Sequence, residues 1–103
     1  MARSYGVDSN SSEVVPVKVT TVSDPTGGDA PEFAFTLSGE PSSWTSGTWG
    51  TWDAGRSQAV ALSPTLPAAT AAVELVEGRW TVWVRFDVGG EIVVESPGVV
   101  VVS

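Results

Sequence analysis

Carboxylates are the first candidates for chemistry in this chain. Glu74, Glu77, Asp87, Glu91 and Glu95 gather in its C-terminal third. Two carboxylates across a cleft can hydrolyse a glycosidic bond, one as acid and one as base or nucleophile. A short acidic chain offers such pairs without a cleft, so the run reads as a solvated surface. The serines have no histidine to activate them, and neither a Gly-x-Ser-x-Gly turn nor a phosphate-cradling loop is present. With His 0 and Cys 0, thiol catalysis, thiolate metal sites and the usual general base near neutral pH are excluded. Asp24 and Asp29 share a loop and could meet a cation, but without an ordered set of further ligands they do not spell a calcium site. The expectation is a protein with no catalytic residue, no metal and no cofactor.

Aromatic residues are the other group that can act. Five tryptophans in 103 residues is the one compositional excess. Trp80 and Trp49 read as core. Trp83 falls on the polar side of its segment, between Thr81 and Arg85, to be covered by a neighbouring strand, stacked by Arg85, or offered to a partner. Trp44 and Trp52 are further partner-facing candidates. Tyr5 and Val7 are the only sizeable apolar groups in a polar N-terminus and could anchor it to a neighbour. The candidate partner contacts are therefore Tyr5, Val7, Trp44, Trp52, Trp83 and Arg85. Exposed indoles also stack on sugars, so a carbohydrate-binding module is the competing reading.

Charge narrows the partners. The net charge is −7, with five basic residues in all. Nucleic acid needs clustered positive charge, and an anionic membrane surface needs the same. No apolar run approaches the ~18 residues of a membrane span. Met1–Gly6 has no apolar segment behind it, so no signal peptide is read there, and the Asn10-Ser11-Ser12 sequon is taken as accidental. The absence of cysteine leaves the compartment open.

The elements that must position these residues are strands. From Gly78 to Val88, Trp80, Val82, Val84, Phe86 and Val88 share one parity while Arg79, Thr81, Trp83, Arg85 and Asp87 share the other. Side chains alternate across a strand, so one face is apolar and must be covered by a second sheet. Gly89-Gly90 turns this strand back into Glu91–Glu95, forming a hairpin. Ser96-Pro97-Gly98 interrupts it before a closing strand, Val99–Val102. Upstream, Glu13–Val22 puts Val15, Val17, Val19 and Thr21 inward, and Pro16, with no amide to donate, requires the strand to lie at an edge or to change sheets there. Glu32–Ser38 puts Phe33, Phe35 and Leu37 inward. Trp44–Asp53 carries tryptophans of both parities, which requires one inward and one outward unless a bulge intervenes. Arg56–Leu62 is expected to turn Val60 and Leu62 inward, and Ala72–Val76 to form a short strand. Residues 1–12 read as a flexible arm and 13–103 as one all-β domain, an antiparallel immunoglobulin-like sandwich of about seven strands, with a small barrel as the alternative.

The segment Gly78-Arg79-Trp80-Thr81-Val82-Trp83-Val84-Arg85, with Ile92-Val93-Val94, Gly98-Val99-Val100-Val101 and the Trp44/Trp49 spacing, resembles small immunoglobulin-like structural proteins of tailed phages infecting actinobacteria. The resemblance covers about residues 13–103. It implies a virion component made in the host cytoplasm that decorates the capsid shell, with the major capsid protein or other virion proteins as partners. It also implies self-association on the particle and no catalytic role. A tail or head–tail connector module is a further alternative.

Overall fold

The computed structural model describes residues 3–103, with Arg3 described by its backbone alone. The regular elements among them are all strands: β1 (Arg3–Val7), β2 (Ser12–Glu13), β3 (Pro16–Thr20), β4 (Glu32–Thr36), β5 (Thr45–Ser46), β6 (Thr48–Asp53), β7 (Gln58–Leu62), β8 (Leu66–Pro67), β9 (Gly78–Val88) and β10 (Glu91–Val102). They form a five-stranded sheet, β1-β10-β9-β4-β5, a three-stranded sheet, β3-β7-β6, and a short β2-β8 pair. One apolar core joins the two larger sheets. Val17, Val19, Ala59 and Ala61 come from one, and Phe33, Val82, Val84, Phe86, Val100 and Val102 from the other.

The β9–β10 hairpin is the spine of the larger sheet. On β9 the alternation is as predicted: Val82, Val84 and Phe86 are buried, and Trp80 and Val88 pack at the margins of the core. Gly89 and Gly90 have φ of 60° and 87°. A two-residue turn whose twist matches the strands needs positive φ at both positions, which glycine adopts without strain. The predicted break at Ser96-Pro97-Gly98 is instead a bulge within one continuous strand. Glu95 faces Val84 and Gly98 faces Val82, so Ser96 and Pro97 together oppose Trp83. The extra residue inverts parity and lets both Val93 and the later pair Val100 and Val102 face the core.

A second irregularity settles the tryptophan parity in β6. Trp49 pairs with Ala61 and Trp52 with Ala59, with the register shifting between them. Both indoles therefore lie over buried alanines, and Trp49 meets Phe86 of the opposite sheet edge-on at 5.6 Å between ring centroids. This arrangement corrects the expectation for β7. Ala59 and Ala61 point inward, and Val60 and Leu62 lie on the other, half-buried face. Small residues face the core here because the bulky groups come from the strand beside them.

Other expectations also need correction. The supposed flexible arm is ordered from Arg3 to Val7 as β1, paired in parallel with Gly98–Val102; Met1 and Ala2 lie outside the described residues. The sheet is therefore mixed, not wholly antiparallel. The valine strand leaves a backbone edge open, and β1 fills it, with Val7 buried and Tyr5 packed against the core. The Ser9 N–H donates to the Ser103 carbonyl at 2.7 Å, and the Ser103 N–H donates to the Val7 carbonyl at 3.0 Å. Ser12–Glu13 is likewise paired, with Leu66–Pro67. Leu37 has left its strand and is 61% exposed. Residues 68–77 contain no strand. They are held by the Val73 N–H donating to the Thr65 carbonyl and the Leu75 N–H to the Pro67 carbonyl, which seat Leu75 in the core. The edge assignment of Pro16 holds, since β3 pairs only with β7.

The chain crosses from one sheet to the other at Gly47, the single residue between β5 and β6. A Cβ there would overlap the Leu62 carbonyl oxygen and the Phe33 ring. Only glycine lets the two sheets approach this closely at the crossing.

Candidate functional site

Cross-strand register assigns the outer face of the five-stranded sheet. Residues directly opposite in an antiparallel ladder share a face. Arg85 lies opposite Glu32 on one side and Val94 on the other, Trp83 lies opposite Ala34, and Asp87 lies opposite Ile92. Five strands thus present a surface built around Trp83 and Arg85, on the reverse of Val82, Val84 and Phe86.

Short contacts fix the centre of this surface. The Arg85 guanidinium carbon lies 4.4 Å from the centroid of the Trp44 ring. Its Nε and Nη2 both donate to Glu32 Oε1, at 3.1 and 2.9 Å. The Trp83 Nε1–H donates to Thr36 Oγ1 at 2.9 Å, and that hydroxyl donates to the Gly39 carbonyl at 3.1 Å. Trp44, Trp83, Pro41, Glu40 and Val94 border a cavity of about 320 Å³. Val94, 49% exposed, borders the same cavity, and Ile92, 64% exposed, precedes it on the same face of β10, opposite Asp87. Arg85 therefore stacks on Trp44, not on Trp83. The stack and the partly exposed ion pair each contribute on the order of 0–1 kcal/mol, so their effect is to fix orientation more than to hold the fold.

The structure brings together three of the six predicted contacts, Trp44, Trp83 and Arg85. The others go elsewhere. Val7 is a core residue, 6% exposed, which removes it as an anchor for a partner. Tyr5 packs against the same core from β1, and Trp52 does so from β6. Glu32, Thr36, Ile92 and Val94 were not identified from the sequence. The hairpin turn could have found the last two: counting back from Gly89-Gly90 places Ile92 opposite Asp87 and Val94 opposite Arg85, on the polar face.

The acidic residues do not converge. Among the described residues no group of three or more Asp or Glu side chains is placed to hold a metal ion. Asp24, Asp29 and Asp87 border a cavity of about 310 Å³. Asp24 Oδ1 accepts from the Thr26 hydroxyl and amide, at 2.6 and 2.9 Å, which lowers its pKa, and Asp87 Oδ1 accepts from the Gly90 amide at 3.0 Å. Both carboxylates are thus used to hold turns.

No family model, curated protein or solved structure matches this chain.

Proposed function

We propose that this protein is a non-catalytic structural component of a phage virion that docks on the capsid shell through the outer face of its five-stranded sheet. One observation carries the reading: a half-exposed Trp44–Arg85–Trp83 cluster, held by its own contacts, with Val94 and Ile92 exposed beside it. Tryptophan and arginine dominate binding hot spots, and side chains already fixed in place lose little entropy on docking. The resemblance in the β9–β10 segment supplies the virion. Many copies on a repeating shell would let modest single-site contacts act together.

The strand orders support an immunoglobulin-like topology. β3-β7-β6 corresponds to B-E-D, and β10-β9-β4 to G-F-C, of that fold. β1 adds to the same sheet by pairing in parallel with the last strand. A sugar ring is the second reading for the cavity between Trp44 and Trp83, although Arg85 already covers one face of Trp44.

The test is co-sedimentation with assembled, undecorated shells, with bound copies counted by gel densitometry. Saturable binding in large copy number, lost in a Trp83→Ala/Arg85→Ala variant that remains folded, supports decoration. A small fixed number points to a connector. Binding on a glycan array with no binding to shells would overturn the virion reading.

A further inference from the structure

We infer that the splayed β4–β5 hairpin is a second docking site, which takes an extended basic peptide as an added strand. It lies beside the Trp83–Arg85 face, sharing Glu40 and Pro41 with the cavity there, and does not depend on the virion reading. β5 pairs with the first two residues of β4 only, Glu32 with Ser46 and Phe33 with Thr45. The Gly47 N–H donates to the Pro31 carbonyl at 2.8 Å, which sets the alternation of the ladder. Pro31, Phe33 and Phe35 direct their backbone groups toward the β5 side, while Glu32, Ala34 and Thr36 direct theirs toward β9. The next pair in that register would be Phe35 with Ser43. It is not formed, because the chain from Pro41 to Trp44 has swung away from β4.

The splay opens a cavity of about 440 Å³, bordered by Phe35, Leu37, Trp80, Glu40 and Glu74, with no basic residue in its lining. An open backbone edge, apolar groups at Phe35, Leu37 and Trp80 within an otherwise largely hydroxyl-lined cavity, and two exposed carboxylates together specify the guest. Its main chain would pair with Phe35, alternate apolar side chains would enter toward Leu37 and Trp80, and lysine or arginine would meet Glu40 and Glu74.

The experiment titrates the intact protein with a short, end-blocked peptide of alternating lysine and valine. Three comparisons accompany it: the same peptide N-methylated at alternate residues, its glutamate–valine counterpart, and a Glu40→Lys/Glu74→Lys protein. Both substituted positions are exposed, so the fold should be kept. The expected result is saturable binding with slowed hydrogen exchange at the Phe35 amide. N-methylation or the double charge reversal should weaken it by about tenfold or more. The proposal is overturned if the peptide does not bind, if the N-methylated peptide binds equally well, or if the acidic counterpart does. It is overturned equally if the free protein forms a dimer that already protects Phe35, because the occupant is then a second copy.

Discussion

The two faces of β9 are built from neighbouring residues and do different things. Val82, Val84 and Phe86 are buried against the opposite sheet. Trp83 and Arg85, interleaved with them, are half-exposed and tied by named polar contacts to Thr36 and Glu32. The inner face holds the two sheets together by excluding water. The outer face holds its side chains in place without excluding water from them. If this division is right, stability and docking should separate by residue parity along a single strand.

The inner face should be by far the more costly to disturb. Phe86→Ala removes the ring that Trp49 meets edge-on and leaves a cavity between the sheets. The expected loss is about 3–4 kcal/mol, read from the urea midpoint at an unchanged slope. A loss below about 1 kcal/mol would mean that Trp49 and its neighbours collapse into the space, and that the inner face is less tightly packed than described. Gly47→Ala tests the crossing between the sheets. The added methyl meets the backbone at Leu62 and the buried Phe33 ring. About 1–3 kcal/mol should be lost, again by denaturant titration.

The same contrast explains how much could be read from the sequence. The inner faces of β3 and β9 were legible because neither strand contains a bulge, so parity runs unbroken through Val15–Thr21 and Trp80–Val88. Around Trp49–Trp52 and Glu95–Gly98 parity fails, because one added residue reverses every later side chain, and register is a property of two strands together. The ordering of Arg3–Val7 was hidden for a related reason. Only Tyr5 and Val7 in the segment are sizeable apolar groups, too few to show a strand pattern, and its partner edge on β10 lies almost the whole chain away. At the candidate site, Trp83 and Arg85 could be found by parity alone. Glu32, Thr36 and Trp44 reach them only through the folded sheet, which no local pattern encodes.

The outer face should show the opposite balance. Trp83→Ala loses one hydrogen bond and a half-exposed ring, for about 1 kcal/mol of stability. Shell binding, if this is the docking face, should fall by about tenfold or more in the co-sedimentation assay. Val94→Ser should change stability by no more than about 0.5 kcal/mol and still weaken binding measurably. If Trp83→Ala destabilised the protein as much as Phe86→Ala, the two faces would not be distinct, and a loss of binding could not be assigned to contact.

The smallest effect sharpens the comparison at Glu95, where a half-buried carboxylate stands on the inner face of β10. Glu95 lies opposite Val84 and so faces inward, just before the bulge. Its Oε2 is buried without a hydrogen-bond partner. Burial raises its pKa, while the Thr20 backbone N–H acts in the opposite direction. A carboxyl that holds its proton more tightly when folded is neutral in both states at low pH and costs nothing there. As pH rises from the ordinary glutamate range through the raised value, the folded state loses stability relative to the unfolded one. Glu95→Gln keeps the shape and cannot ionise. The variant should therefore match the wild type near roughly pH 4 and become the more stable of the two toward neutrality. Denaturation midpoints measured across that range decide the matter: parallel curves for the two proteins would mean that Glu95 swings out to water, leaving the inner face of β10 uncharged at the bulge.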